Sequence, residues 1–486
     1  MASNDEQNSL VVTMIAVMAS AVLLFWGTGL HPRWWLTWFA ALPVLLIASR
    51  VSGRAAFGWA TMAWFLGGLN LWRYLASVGG PPEGGVRIAA LALPFLALLT
   101  PACVFGLAVV LWRAFVRRGA LWRAALALPA VWVAYEYVLS LIWPHGTWGS
   151  LAYTQMDFLP FVQLASLTGI WGMSFFLLLV PATVAGLLAG SGTGTEKRTF
   201  ALGVGVALVA IVGFGWGRLR STPSSPSVMV GLIASDTRDN VFPQAPDQTP
   251  RLMHDYLDEA GSLAAQGAQV IVMPEKLGVV IDPKLTSDFD NMLRSAARET
   301  GSVVVVGVIR RTPTARLNEA RVYSGDSSPL FYEKEHMLPA FESSFDPGSE
   351  RVSFDKESGK WGVAICKDMD FPQLGRSYGA DKVGLMLVPA WDFVDDGWQH
   401  GRMAILRGVE SGFSIARAPK QGLLTITDDR GRVLAERSSR DARFSTLVAR
   451  VPVRNDATLY QRLGDWFAWV NLVGLGWLLL DLFRGA

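Results

Sequence analysis

The sequence predicts two unlike parts in one chain: a polytopic α-helical membrane bundle of about eight spans, and an α/β domain inserted before the last span. Three observations carry that expectation. Of 486 residues, 51% are hydrophobic and 17% charged, with mean hydropathy +0.32; this is too apolar for an ordinary soluble protein and too charged for a bundle alone. The charges are segregated, with 17 of the 83 Asp, Glu, Lys and Arg residues before Arg218 and the rest beyond it. Past that point, short β-rich runs alternate with amphipathic helical patterns.

Seven apolar stretches precede residue 218, at about 10–30, 34–49, 55–72, 87–112, 121–143, 161–189 and 199–217, and an eighth closes the chain at 466–483. Most approach the ~20 residues needed to cross the hydrocarbon core. The second and third are short and Trp-rich, which fits tilted or interfacial helices. The first is too long for a cleaved signal peptide. Glu136 is the one acid within the seven apolar stretches before residue 218, where an unpaired charge is costly, so a buried partner or a wet position is expected for it. Trp34, Trp35, Trp38, Trp143 and Trp148 cluster at span ends as interfacial anchors, and Trp148 is also a candidate for lining a lipid path. With the N-terminus inside, nine basic residues near helix ends fall on the inner side and five on the outer; the loop at 113–123 carries most of that bias. Both termini are therefore expected in the cytoplasm, with a membrane domain at 1–220, an extracytoplasmic domain at 221–463 and a final membrane helix at 464–486.

The outer segment begins with the Pro/Ser linker "STPSSPS". Strands are expected at "VMVGLIA", "QVIVMPE", "SVVVVGVI", "WGVAIC", "VGLMLVPA", "FSIARA", "GLLTITD" and "STLVARV". Helices are expected near 250–266, 286–300 and 398–411. Apolar strands separated by helices indicate a layered α/β domain, and about 240 residues suffice for its own core.

Cys103 lies in an apolar run and Cys366 in the charged half, so no bridge between them is expected. Cys103 reads as a packing residue. Cys366 ends a strand-like run in "WGVAICKDMDFP". Two other runs end on reactive groups: "VIVMPEK" on Glu275 and "FYEKEHMLP" on Lys334. Each alone has an ordinary reading, as a solvated strand end, a surface charge cluster or a buried small side chain. Together, a carboxylate, an ammonium and a thiol at strand ends are the parts of covalent acyl transfer. Glu275 takes the thiol proton, Lys334 stabilises the oxyanion and keeps the base ionised, and Cys366 attacks a carbonyl.

The trio "MPEK", "YEKEHMLP" and "ICKDMDFP" resembles the carbon–nitrogen hydrolase (nitrilase) superfamily, which implies a Glu-Lys-Cys triad on an αββα sandwich. The later stretch containing His400, Arg407, Glu410 and Arg417 is similar to that superfamily's pattern after the nucleophile. Such a domain between a seventh and an eighth span resembles the apolipoprotein N-acyltransferases, as do "ALPAVWVAYEYV", "HGTWGSLAYTQ" and "PFVQLASLTGIWGMSFF" in the membrane half. The resemblance implies a ping-pong reaction in the bacterial inner membrane: Cys366 takes an acyl chain from a phospholipid and passes it to the α-amine of a diacylated apolipoprotein. It places Glu342 in the active-site loop, assisting the amine or orienting Lys334. Lys367 and Asp368 are further supporting candidates beside the thiol, and His336 and Trp391, like Trp148, are candidates for the substrate or lipid path. Lys367 is expected either to face solvent, or to favour the thiolate or meet a phosphate headgroup.

The sequence departs from the family around the nucleophile. Lys367-Asp368 stands where Tyr-Glu is usual, "PAFE" lacks a glycine, Met273 replaces an aromatic, and "PAWDF" shortens a longer motif. A membrane-tethered amidase using water, a transferase with another amine acceptor and an inactive lipoprotein-binding scaffold are the alternatives. A net charge of +3 does not suggest nucleic-acid binding. The five His residues lack ligand spacing and no phosphate-cradling glycine loop is present, so neither metal nor cofactor is expected. The chain is expected to act as a monomer.

Overall fold

Apolar helices and β-rich runs segregate in space as they do in sequence. The computed structural model describes residues 4–78, 87–221, 224–238, 240–281, 283–325 and 327–484, with residues 4–7 and 87–91 described by backbone alone. Of the expected linker at 221–227, residues 222 and 223 lie outside the described residues. The chain divides into two compact units. One holds Met1–Leu141, Gly149–Gly217 and Asp465–Ala486; the other holds Ile142–Trp148 and Arg218–Gly464.

In the first unit, six helices among the described residues are long and apolar enough to cross a membrane: Asn8–Gly27, Ala92–Arg117, Leu121–Ile142, Ile170–Leu188, Gly194–Arg220 and Trp466–Arg484. The second apolar stretch is broken into Trp34–Ala40 and Leu42–Ala48. Pro43 causes the break, because its ring cannot follow an uninterrupted helix but suits a first turn. The exposed Val44 N–H then finds Ser20 Oγ at 3.0 Å. The third stretch is a 16-residue helix, Gly53–Gly68, followed by a 3₁₀ turn. Glu136 is buried among donors rather than cations: Trp132 Nε1 at 2.9 Å, Leu151 N at 2.8 Å and Ser150 Oγ at 3.1 Å. It fastens the "TWGSLAYT" turn to its helix.

Among the described residues the second unit has thirteen strands. They are β1 (Ser227–Ala234), β2 (Val270–Val272), β3 (Val279–Val280), β4 (Val303–Arg311), β5 (Arg316–Tyr323), β6 (Leu330–Glu333), β7 (Val352–Lys356), β8 (Gly359–Val363), β9 (Val383–Trp391), β10 (Ser414–Lys420), β11 (Leu423–Thr427), β12 (Val433–Ser438) and β13 (Ser445–Pro452). One sheet runs β13-β1-β2-β4-β5-β6 with β3 beside β4, and the other runs β12-β11-β10-β9-β8-β7. The first and last strands pair antiparallel along their whole length, Ser227 opposite Pro452.

Alternate side chains of both sheets meet in one core that includes Val230, Leu232, Val272, Val305, Val363, Leu385, Leu387, Ala416 and Ile426. The outer face of the first sheet packs on Thr249–Ala265 and Pro283–Thr300 through Met253, Leu263, Phe289 and Leu293. That of the second packs on Pro372–Ala380 and Gly397–Ser411 through Leu374, Tyr378 and Ala404. The result is helix, sheet, sheet, helix: an αββα sandwich. Because both faces of each sheet are covered, the central strands read as continuous apolar runs. Strands β5, β7 and β12 were not expected, because charges interrupt "RLNEARVY", "VSFDK" and "VLAERS".

Candidate active site

The three chemistry-bearing loops leave neighbouring strand ends. Strand β2 stops at Val272, and Pro274, which cannot donate to a ladder, turns the chain so that Glu275 follows. Strand β4 passes beneath this turn at Gly307, where a Cβ would sit 2.5 Å from the Glu275 Cα, so only glycine fits. Glu275 N donates to Ala390 O at 3.2 Å, which ties the base loop to β9 in the opposite sheet. Strand β6 ends at Glu333, delivering Lys334, whose N–H continues the ladder to Asn318 O at 2.9 Å. Strand β8 ends at Val363, two residues earlier than a strand running to the thiol would require, and Cys366 opens a 3₁₀ turn over Cys366–Asp370. Its φ of +46° lies in the left-handed region that non-glycine residues avoid, so the surrounding contacts hold the nucleophile there.

Lys334, Glu275 and Glu342 are buried together. Lys334 Nζ donates to Glu275 Oε1 at 3.0 Å and to Glu342 Oε2 at 2.9 Å. Asn318 Nδ2 donates to both carboxylates, at 2.6 Å to Glu275 and 2.9 Å to Glu342. Glu342 also accepts Leu338 N at 2.7 Å, so it is neither exposed nor a free second base; it closes its own loop over Lys334. A second lysine, Lys276, pairs with Glu342 and lies 3.6 Å from Glu275 Oε1. Burial opposes the charge on each carboxylate, but Lys334 and Lys276 outweigh it: Glu275 is held below the usual carboxylate range and Glu342 down to about 2. Burial likewise opposes the charge on Lys334, and Glu275 with Glu342 lifts it well above an ordinary lysine.

Cys366 stays partly exposed beside these buried groups. Its S–H points to Trp391 O at 3.4 Å. Its low-dielectric surroundings, then the Glu275 charge, push the thiol up, and Lys334 pulls against them. The resting site therefore keeps the proton on sulfur. Beside the thiol, Asp392 holds Arg417 in a buried bidentate pair, with Nη1 to Oδ2 at 2.8 Å.

Of the supporting candidates, Asp368 is fully buried and ties two loops together. It accepts Ile365 N at 3.0 Å and Tyr332 Oη at 2.8 Å on one oxygen, and His336 N at 2.8 Å and Glu335 N at 3.2 Å on the other. His336 is pinned by the same carboxylate at 3.1 Å and stacks on Phe371 with centroids 3.6 Å apart. Lys367 does not face solvent. It is buried, with Nζ 3.3 Å from His145 Nδ1 and 3.7 Å from Asp370 Oδ2, and burial lowers its pKa. Burial and the Lys367 charge push His145 down to about 4, so this imidazole is neutral and accepts. His400 is the opposite case: Asp396 and Asp370 overcome its burial and raise it to about 10. Trp148 packs on Trp143, centroids 6.3 Å apart, in the segment whose Thr147 Oγ1 donates to Asp370 O at 2.8 Å.

Sequence reasoning did not single out Lys276, Asn318, Asp392 or Lys420. Lys276 was visible in "MPEK", but a lysine beside a glutamate reads as a solvated pair until its burial is known. Asn318 lies on a strand that was not expected. Exposed apolar side chains stand around the site on the loops nearby: Phe242, Phe341 and Val394, with Phe341 packed on Phe393 at 5.1 Å.

Two family models match the chain in order. One, described as apolipoprotein N-acyltransferase N-terminal domain, covers residues 11–183; the other, described as carbon-nitrogen hydrolase, covers residues 242–443. The apolipoprotein N-acyltransferase of Geobacter metallireducens is 26% identical over 97% of this chain and 95% of its own length. That of Haemophilus ducreyi is 23% identical over 89% of each, and that of Vibrio vulnificus 25% identical over 91% and 92%. Among solved structures, an amidase from Nesterenkonia sp. superposes on 51% of this chain and 97% of its own, with 21% identity and a TM-score of 0.43. With both models matched in order and these relatives aligned nearly end to end, the chain is similar along almost its whole length to the apolipoprotein N-acyltransferases, with a carbon–nitrogen hydrolase domain in its second half.

Proposed function

We propose that this chain moves a fatty acyl group from a phospholipid to the N-terminal α-amine of a diacylglyceryl-cysteine lipoprotein, through a thioester on Cys366. The observation that carries the reading is Lys334 bridging Glu275 and Glu342 beside a partly exposed thiol. As Cys366 attacks the ester carbonyl, its proton passes to Glu275, and Lys334 faces the negative charge that moves onto the carbonyl oxygen. Collapse breaks the carbon–oxygen bond, Glu275 returns the proton to the departing lysophospholipid hydroxyl, and the thioester remains. The lipoprotein amine then attacks the thioester, Glu275 takes its proton, and sulfur leaves as the reprotonated thiol. Atoms balance without any further reactant. The resting proton on sulfur suits this order, because charge is generated only where Lys334 can receive it.

The exposed Phe242, Phe341 and Val394 support an apolar substrate. The bias of nine basic residues against five supports both termini in the cytoplasm, and so residues 221–463 and the reaction on the outer face of the inner membrane. Mass spectrometry tests the reading. Purified protein given phospholipid is expected to gain one acyl mass on the Cys366 peptide, lost on adding a diacylated lipopeptide with a free α-amine, and absent from Cys366→Ala. An adduct that water removes as fast as the lipopeptide does would make the protein a hydrolase; no adduct at all would sink the thioester.

A further inference from the structure

Lys420 is fully buried at the end of β10, and its ammonium faces no carboxylate at hydrogen-bonding distance among the described contacts. It donates instead to two backbone carbonyls, Val241 O at 2.6 Å and Lys276 O at 3.2 Å. Its Nζ also stands 3.9 Å from the centroid of the Trp391 ring. A charge in that setting is costly unless it is used, and backbone carbonyls plus an aromatic face are what hold it. The three groups it touches belong to three separate segments, two loops and the end of β9. Lys276 follows the base Glu275, Val241 precedes the exposed Phe242, and Trp391 supplies the carbonyl that receives the Cys366 S–H. The indole is held from its other side too, with Nε1 donating to Gln421 Oε1 at 2.9 Å.

The geometry points to Lys420 as a positioning residue for the nucleophile: by clamping Trp391 against the Glu275–Lys276 loop, it sets where the thiol's acceptor, and so the thiol, stands relative to the base. Lys420 itself touches no reacting atom; it acts through the Trp391 backbone. The charged groups around it are Glu275 and Lys276 on the base loop and Asp236 on the first loop, while Asp392 on the adjoining strand end is taken by Arg417. Burial lowers Lys420 to about 7, so the clamp carries its charge below neutrality and loses it above. The thiol should then register a change of environment at a pH where neither it nor Glu275 titrates.

The inference rests on the proposed acyl transfer, and one arm of its test does not. Full-length protein in detergent is compared as wild type, Lys420→Met and Lys420→Arg. The first readout is the rate of acyl-Cys366 formation from phospholipid. The methionine variant is expected to fall at least tenfold in maximal rate with the KM for phospholipid within twofold, and the arginine variant to recover at least a third of the wild-type rate. The second readout is alkylation of Cys366 by iodoacetamide, followed on its own peptide so that Cys103 does not intrude. Wild type is expected to show an inflection near pH 7 that Lys420→Met lacks. Acylation within twofold of wild type in Lys420→Met, or the same inflection in both proteins, overturns the positioning role. Should Lys420→Met fail to fold, Trp391→Leu removes the clamped ring and leaves the lysine on its two carbonyls. It is expected to show the same slowed acylation, and wild-type kinetics there overturn the proposal equally. Wild type that alkylates but never acylates defeats the transferase reading alone, and the alkylation profiles still decide the role of Lys420.

Discussion

Glu275 lies against two lysines, Lys334 and Lys276, and the proposed reaction asks it to act as a base. Lys334 and Lys276 hold it ionised, while the thiol it serves is held protonated, so a free thiolate is not the resting species. In the proposed reaction, proton transfer becomes favourable only as negative charge leaves sulfur for the carbonyl oxygen, so Glu275 would act as a general base within the attack rather than before it. Glu275→Gln keeps an acceptor for Lys334 and Asn318 but cannot take a proton. Thioester formation should slow by roughly 10²–10⁴, read as the rate of adduct growth on the Cys366 peptide, with the proteolytic fragment pattern of the folded protein unchanged. Glu342 has a structural prediction with a definite sign. Its folded pKa of about 2 lies below the ordinary unfolded value of about 4.3, so its contribution is present above pH 4.3 and drains away as pH falls through 2. Glu342→Gln should therefore melt several degrees lower than wild type at pH 7, and the gap should narrow between about pH 4 and pH 2. Both residues differ in how readable they were. Glu275 announces itself by following an apolar run and a proline, whereas Glu342 looks like any loop acid until Lys334 is seen beneath it.

Among the elements, the 3₁₀ turn after β8 and the loop after β6 are fastened by one side chain, Asp368. Its carboxylate accepts from Ile365 and Tyr332 on one side and from Glu335 and His336 on the other, so the thiol loop and the lysine loop share a single anchor. Asp368→Ala would leave the buried Ile365 and Tyr332 donors without an acceptor, each costing about 1–3 kcal/mol, and would free the half-buried Glu335 and His336 N–H groups. The expected outcome is a melting temperature lowered by more than 5 °C on the order set by the size scaling of unfolding, with acylation lost in parallel. Asp368→Asn should fall between, since one oxygen survives. The sequence placed Asp368 beside Cys366 as a supporting candidate without a stated role, because adjacency along the chain does not tell which way a side chain points out of a turn. The strands that escaped notice have a common cause. Strand β5 buries Asn318, Glu319 and Arg321, and the last two pair with each other at 2.9 Å, so charges that look solvent-facing in sequence are satisfied internally. The central apolar strands, with both faces covered, were legible from composition alone.

At the scale of the whole molecule, the division between apolar helices and sandwich was the most legible feature, since segregated charge and long apolar runs follow directly from which solvent each part meets. The course of the second apolar stretch was less so, because a single proline decides whether one helix forms or two. The proposed orientation has its own check. In a Cys103→Ala, Cys366→Ala background, Ser349→Cys is expected to react with a membrane-impermeant maleimide in intact spheroplasts. Thr193→Cys, in the loop before the Gly194–Arg220 helix, is expected to react only after the membrane is opened. The reverse pattern would turn the protein over. Glu275 and Lys334 leave one sheet, Cys366 leaves the other, and β13 must return to lie against β1 before the first sheet is complete. The three side chains therefore come together only when the two sheets pack face to face, so the trio belongs to the closed sandwich and to neither sheet alone.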